Sequence, residues 1–399
     1  MMKLVPLLGI AAILLMAFLL SKNRRAIRGR IVAWGLGLQI LIAILVLRTH
    51  AGYWLLDRFS KGFVKVLDYS FAGSSFVFGP LGQKGGNLGV VFAFQALPII
   101  IFVASLFSIL YYLRVLPALV YWVGRLMFRL MGTSGAESLE VAASILMGQT
   151  EAPLVIRPYL DELTESELMT VMTAGMAHIA GSVFGAYVLL GADPRYLLTA
   201  VVMTAPGTIL IAKMLNPETK HPKSAGKIER VAEQRSVNIL DAAARGVTDG
   251  LYLALNVAAM LIAFIALIYL CNGILGLVHT NLQTLFGVAL APVAWLLGVP
   301  WHDAMAVGNL LGTKLALNEF VAFSMLGPLK RQIAERSFTI ATFALCGFAN
   351  FASIGIQIGG IGALAPSRKS DLARLGFRAV LAGTMANYLA AAIAGLLLA

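Results

Sequence analysis

Charged side chains are scarce in this chain. Of its 399 residues, 13% are charged and 59% are hydrophobic, and the mean hydropathy is +0.84. Because a soluble domain is usually about 45–50% apolar and about 25% charged, this composition excludes an ordinary soluble protein. Apolar runs of about 20 residues follow one another along the sequence, which is typical of membrane-spanning helices. We therefore expect an all-α polytopic membrane protein.

Cysteine and catalytic signatures are also lacking. Cys271 and Cys346 lie inside apolar segments without a CxxC or metal-ligand spacing, so they imply no redox chemistry. The sequence contains no HExxH, GxGD or DDxxD motif, and we expect neither an enzyme nor an organic cofactor. A polytopic membrane enzyme and a channel stay open as alternatives, and saturable uptake of an unchanged substrate would exclude both.

Basic residues exceed acidic ones, with a formal net charge of +12. They fall in short clusters between apolar runs, which is typical of Lys and Arg in cytoplasmic loops. We therefore expect the protein to lie in a lipid bilayer and not to bind a nucleic acid.

Eight apolar segments predict eight membrane-spanning helices, with both chain termini on the outer side of the inner membrane. Most basic clusters agree with this orientation, but Lys330, Arg331 and Arg336 fall on the outer side and count against it. The predicted spans are residues 4–20, 31–49, 91–113, 167–190, 196–214, 250–271, 336–358 and 377–398.

Three further stretches differ from simple spans. Residues 53–71 and 116–131 carry charges at helical spacing beside aromatic and aliphatic residues, which predicts amphipathic helices at the membrane interface. The polar segment 216–236 is the one soluble linker. The expected organisation is an N-terminal scaffold (1–115), a first transport repeat with its interfacial helix (116–215), a cytoplasmic linker (216–249), a scaffold span with an outer segment (250–298) and a second transport repeat (299–399).

The two halves repeat one pattern, which aligns Glu151 with Glu319 and His178 with Asn350. Each half has an apolar segment broken by polar and glycine residues, and then a span interrupted by small polar residues. Such pairs indicate inverted repeats of a secondary transporter, with the site at the repeat interface. The predicted elements are hairpins at 136–162 and 300–328, broken spans at 167–190 and 336–358, and final spans at 196–214 and 377–398.

Each broken segment is expected to be a re-entrant hairpin. A half-segment of about twelve residues reaches only roughly 18 Å, just past the middle of a bilayer core of about 30 Å. Gly148 suits the first tip, and Pro153 suits the first turn of the returning half-helix. Glu151 then lies at a helix N-terminus, where the dipole favours negative charge.

Polar residues at the tips and breaks are expected to converge near the membrane midplane. Their carboxylates, amides and hydroxyls suit a neutral solute rich in hydroxyl groups. Structural roles stay open for His178 as a core residue, for Phe348 as core packing and for the carboxylates as ion-pair partners, and Lys314 receives no role. The converging residues are Gln149, Thr150, Glu151, His178, Ser182, Glu319, Asn350 and Ser353.

Four motifs resemble those of the concentrative nucleoside transporters, and the similarity covers essentially the whole chain. It implies a nucleoside substrate, a coupling cation and a homotrimer in the inner membrane, each protomer having a scaffold and a mobile transport domain. The motifs are "GQTEAPLVIRPYL" (148–160), "AGMAHIAGSVFGAY" (174–187), "LGTKLALNEFVAF" (311–323) and "CGFANFASI" (346–354).

The resemblance also implies roles for single residues. Glu319, Asn350 and Ser353 would bind the ribose hydroxyls, and an ionised carboxylate is a strong acceptor for them. Phe348 would contact the base, with Val183 packing nearby. The first hairpin would face the nucleobase through Gln149, Thr150 and Glu151.

One region departs from the family pattern. Sodium-coupled members typically have Asn where this chain has Ser144, and Ser or Thr where it has His178, while backbone oxygens at Met147 and Ile179 would complete the cation site. Sodium prefers oxygen ligands to imidazole, whereas histidine titrates near neutral pH. We therefore expect a nucleoside symporter coupled to protons more than to sodium, the alternative being a symporter of another small hydroxylated solute.

Overall fold

The computed structural model describes residues 4–85, 89, 91–228 and 236–398. Within these ranges the protein is built from helices and contains no β-strand, which confirms the all-α class. The α-helices are α1 (Val5–Leu19), α2 (Gly29–Arg48), α3 (His50–Asp68), α4 (Ser70–Phe78), α5 (Phe92–Tyr112), α6 (Val115–Met131), α7 (Gly135–Ser144), α8 (Glu165–Ala177), α9 (Gly181–Leu189), α10 (Pro194–Leu215), α11 (Ile239–Gly276), α12 (Leu282–Leu296), α13 (Trp301–Ala316), α14 (Glu319–Leu329), α15 (Glu335–Leu345), α16 (Phe351–Leu364) and α17 (Lys369–Leu397).

Six helical segments of the described chain are long and apolar enough to cross a membrane. They are Gly29–Arg48, Phe92–Tyr112, Glu165–Leu189, Pro194–Leu215, Ile239–Gly276 and Pro366–Leu397. A seventh candidate is the pair α12 and α13, which is bent by 115°. The predicted spans 4–20 and 336–358 do not meet this test, because α1 has only 15 residues and the second segment is divided between α15 and α16. The count of eight spans stays a prediction.

Both predicted broken spans are interrupted where the sequence places the breaks. The helix α8 ends at Ala177 and α9 begins at Gly181, so His178 lies in the first break. The helix α15 ends at Leu345 and α16 begins at Phe351. Asn350 closes the second break as an N-cap, since its Oδ1 accepts a hydrogen bond of 2.9 Å from the Ser353 amide.

The two predicted hairpins have different returning arms. In the second hairpin α13 turns into α14, and the Asn318 side chain caps α14 by accepting from the Val321 amide. In the first hairpin α7 is followed by a 3-10 helix, Ala152–Glu162, with a kink at Ile156. The expectation of a regular half-helix was therefore wrong here, because Pro158 within the arm lacks the N–H that an α-helix requires.

Several boundaries differ from the sequence-based expectations. The predicted linker 216–249 contains the start of α11, which Asn238 caps through its side-chain oxygen, and residues 229–235 of that linker lie outside the described residues. The helix α17 begins at Lys369, before the predicted start at 377. The helices α4 and α12 were not predicted, since their lengths of 9 and 15 residues fall short of a span.

Two glycines set the contact between α11 and α5. A Cβ atom at Gly246 would lie 2.6 Å from the Ser105 Cα, and one at Gly250 would lie 2.8 Å from the Ile101 Cα. Glycines one helical turn apart let two backbones approach closely, as is common between helices in membranes. The Ser105 hydroxyl strengthens the contact by donating to the Ala243 carbonyl at 3.1 Å.

We expect Gly250→Leu to weaken the contact between α11 and α5 and to lower thermal stability. Overpacking of this kind costs about 1–3 kcal/mol, and melting of the purified protein in detergent would measure it. Gly273→Leu is the matched control on the same helix, because a Cβ atom there has no neighbour within 4 Å. Equal melting temperatures for the two variants would contradict the assigned contact.

Candidate functional site

A cavity of about 460 Å³ lies where both hairpin tips, both helix breaks and α11 meet. Of the eight residues expected to contact substrate, seven line this cavity, whereas Val183 is buried and is not among the lining residues. The seven are Gln149, Thr150, Glu151, Glu319, Phe348, Asn350 and Ser353.

Glu319 holds the most defined position in the cavity. It is the first residue of α14 and is only 4% exposed. Its Oε1 accepts from the Tyr187 hydroxyl at 3.0 Å, and its Oε2 accepts from the Asn350 side-chain amide at 3.2 Å. A carboxylate at a helix N-terminus is stabilised by the positive end of the dipole, and two donors fix its orientation toward the cavity.

The first hairpin reaches the second break through Gln149. Its Nε2 donates to the Ser353 hydroxyl at 3.2 Å, while its Oε1 is buried without a hydrogen-bond partner. Glu151 closes the hairpin tip, since its Oε2 accepts from the Gly148 amide at 3.2 Å. One amide oxygen at this tip is therefore available to a ligand that donates a hydrogen bond.

Several cavity residues were missed by the sequence analysis. The helix α11 contributes Asn256 together with Leu253, Val257 and Met260, and Tyr187 orients Glu319 from α9. Asn256 is a single amide within the apolar run "LALNVAAMLIAF", which is a signal that sequence alone offers. Tyr187 ends one of the four motifs, although nothing in its spacing indicates a partner on α14.

The residues of the expected coupling-ion region come together between the first hairpin and the first break. The Gly181 amide donates to the Leu146 carbonyl at 2.9 Å, which joins the two segments. The Ser144 hydroxyl donates to Glu140 Oε1 at 3.0 Å. His178 donates from Nδ1 to the Ala174 carbonyl at 3.0 Å, and its Nε2 is buried without a partner.

These side chains differ from the oxygen ligands that the resemblance implies for sodium. The Ser144 hydroxyl is directed to a carboxylate, and the His178 carbonyl already accepts the Phe348 amide at 3.3 Å. Met147 and Ile179 are buried beside them, but an imidazole nitrogen replaces the expected hydroxyl, and hard cations prefer oxygen.

Lys314 and its partner Asn387 connect the two helix breaks through hydrogen bonds. Its ammonium group, 2% exposed, donates to the Ala344 carbonyl and to Asn387 Oδ1, both at 2.8 Å. The Asn387 amide then donates to the carbonyls of Ala177 at 2.7 Å and Cys346 at 3.0 Å. Lys314 and Asn387 thus bind carbonyl groups at the C-terminal ends of α8 and α15, where a positive charge is favoured.

Three family models match successive parts of the chain. They are the "Na+ dependent nucleoside transporter N-terminus" at residues 8–81, "Nucleoside recognition" at residues 93–194 and the "Na+ dependent nucleoside transporter C-terminus" at residues 196–395.

Relatives match along nearly the whole chain. An uncharacterized transporter of Bacillus subtilis is 45% identical, with 98% of each chain covered. A nucleoside permease of Helicobacter pylori is 40% identical, covering 99% of this chain and 97% of the permease. Solute carrier family 28 member 3 of Rattus norvegicus is 41% identical, covering 98% of this chain and 58% of the carrier. These relatives are transporters and permeases, which confirms the expectation that the chain is not an enzyme.

Solved structures share this fold. The inward-facing, substrate-bound structure of CNTnw is 42% identical, covers 100% of this chain and 98% of its own, and has a TM-score of 0.95. An outward-facing structure of a CNTnw variant also has a TM-score of 0.95 at 42% identity, with the same coverage of both chains. By the family models, the whole-length relatives and these structures, the chain belongs to the concentrative, Na+-dependent nucleoside transporter family.

Proposed function

We propose that this protein imports nucleosides across the inner membrane by symport with protons. Membership of the family supports cation-coupled nucleoside symport, and the proton is the finer part of the proposal. The observation that carries the proposal is the cavity, in which Glu319, Asn350 and Ser353 from one repeat face Gln149 from the other.

The cavity has the chemistry that a nucleoside requires. Its volume of about 460 Å³ lies within the roughly 300–1,000 Å³ range of small-molecule sites. Glu319 accepts strong hydrogen bonds from ribose hydroxyls, with Asn350 and Ser353 beside it. Gln149 offers an unpaired amide oxygen to the nucleobase, and the ring of Phe348 offers a stacking surface.

The proton follows from the side chains of the coupling-ion region. Ser144 and His178 stand at positions where, by the resemblance, sodium-coupled members have oxygen ligands, and the Ser144 hydroxyl donates to the Glu140 carboxylate. Symport that concentrates a nucleoside needs a coupled ion, and buried titratable groups can supply a proton site where sodium ligands are lacking. The homotrimer and the outside position of both termini belong to the same proposal.

The two cavity carboxylates give the first test of this function. Glu319→Gln and Glu151→Gln each weaken a charge-assisted hydrogen bond worth about 1.5–3 kcal/mol, so we expect uptake of labelled uridine at low concentration to fall by about 10- to 150-fold. Glu162→Gln is the control, because Glu162 lies at the exposed end of the first hairpin, which also carries Glu151, and pairs with Lys223. Uptake near that of the unmodified protein by either cavity variant would remove that carboxylate from the site.

The ribose contacts predict which compounds compete for uptake. Unlabelled uridine and adenosine should inhibit, whereas uracil, adenine and 3′-deoxynucleosides should inhibit poorly. Each missing hydroxyl leaves a buried acceptor unpaired at a cost of about 1–3 kcal/mol, which corresponds to about 5- to 150-fold weaker inhibition. If uracil competed as well as uridine, the assignment of Glu319, Asn350 and Ser353 to the ribose would be wrong.

The coupling ion is tested in proteoliposomes that contain no sodium. An imposed pH gradient, acidic on the outer side, should drive uridine accumulation, and an uncoupler should abolish it. A sodium gradient at equal pH on both sides is the control and should drive little accumulation. Accumulation that follows the sodium gradient and ignores the pH gradient would overturn proton coupling while leaving nucleoside transport in place.

A further inference from the structure

A second buried carboxylate lies outside the substrate cavity, on the first hairpin. Glu140 belongs to α7 and its side chain has 0% exposure. Its Oε1 accepts from the Ser144 hydroxyl at 3.0 Å, and its Oε2 is buried without a hydrogen-bond partner. A buried oxygen of this kind is rare in native proteins and calls for a ligand or a proton.

No described cation neutralises Glu140. On its own helix, Glu137 is a second carboxylate, and it takes the ammonium group of Lys213 from α10 at 2.7 Å. On α8, the Glu167 carboxylate accepts hydrogen bonds from the Ser134 hydroxyl and the Thr164 amide. Glu140 itself forms no ion pair with any residue that the structure describes.

The other elements packed on α7 bring no buried charge to this carboxylate. The helix α6 packs against it through Gly124, while Arg125 of α6 lies over the rings of Tyr121 and Trp122. The arm Ala152–Glu162 buries only apolar side chains, and its charged residues are exposed. After the end of α8, the His178 ring donates from Nδ1 to the Ala174 carbonyl and not to Glu140.

We propose that Glu140 is the residue that binds the coupling proton. The proposal rests on the proton-driven nucleoside uptake proposed above. A proton from water on the outer side adds to Oε2, giving a neutral carboxylic acid, and it returns to water on the inner side. No bond of the nucleoside forms or breaks, and no oxidant or reductant takes part.

The geometry favours Glu140 over the carboxylates of the substrate cavity. The carboxylates of Glu319 and Glu151 belong to the substrate cavity and already accept hydrogen bonds there. Glu140 contacts Ser144, the position at which this chain lacks the expected sodium ligand, four residues before the cavity residue Gly148. The Glu140 carboxylate thus lies beside Ser144, one of the four residues of the expected coupling-ion region.

Glu140→Gln is the decisive variant, because glutamine resembles a permanently protonated glutamate and cannot exchange a proton. With one proton per nucleoside and a gradient of one pH unit, the unmodified protein should accumulate uridine up to about tenfold. The variant should bring uridine only to equal concentrations on both sides. Its uridine counterflow, which needs no ion gradient, should persist and would show that the variant is folded and binds substrate.

Two further measurements complete the test. His178→Ser removes the other buried titratable group of the coupling-ion region, and accumulation that still follows the pH gradient in this variant would exclude the imidazole as the proton carrier. In detergent, stabilisation of the unmodified protein by uridine should decrease from acidic to alkaline pH, and Glu140→Gln should remove this dependence. This second readout needs no transport and applies even if the variant reconstitutes poorly.

The outcomes separate the inference from the function on which it rests. If the unmodified protein accumulates uridine with the pH gradient and Glu140→Gln does so equally, Glu140 is a permanently neutral structural acid and the inference is overturned. Loss of proton-driven uptake in His178→Ser alone would assign the proton to the imidazole. If the pH gradient drives no uptake by the unmodified protein, proton coupling itself fails.

Discussion

The structure depends on satisfying backbone groups where helices end inside the bilayer. A helix that stops in the membrane leaves carbonyl groups without partners, and lipid offers them no hydrogen bond. Lys314 and Asn387 supply the donors for Ala177, Ala344 and Cys346, so a single pair of side chains serves α8 and α15 together. The helices α8 and α15 can therefore end next to each other, and the breaks that follow them border the cavity.

The same breaks give the cavity its polarity. The N-terminal ends of α9, α14 and α16 meet at the cavity, and residues at or beside these ends line it. Their positive dipole ends favour carboxylates and oxygen-rich ligands, as in other transporters with discontinuous helices. Since Glu319 already supplies a negative charge at one such end, a neutral solute with hydroxyl donors fits the remaining space better than an anion.

Sequence reasoning found those parts of the site that local patterns specify. A carboxylate or amide inside an apolar run is conspicuous, which is why Glu151, Glu319 and Asn350 were expected at the repeat interface, and all three line the cavity. Tyr187 and Asn387 were missed because their functions depend on contacts with Glu319 and Lys314, which lie 132 and 73 residues away. The sequence analysis predicted a half-helix for the returning arm of the first hairpin but not its 3-10 form, although Pro153 and Pro158 within the arm are visible in the sequence.

In the proposed proton symport, the substitutions at Ser144 and His178 and the presence of Glu140 are physically linked. A mobile transport domain that crosses the bilayer carries a lower electrostatic cost when its buried groups are neutral. Sodium would require several fixed oxygens, whereas a proton requires only one carboxylate with an open oxygen, as Glu140 has. Protonation removes the negative charge of Glu140, the one buried charge on α7 that has no cationic partner. The protonated transport domain therefore has the lower electrostatic cost in lipid. In the proposed proton symport, coupling follows from charge neutralisation of Glu140, without a preformed metal site.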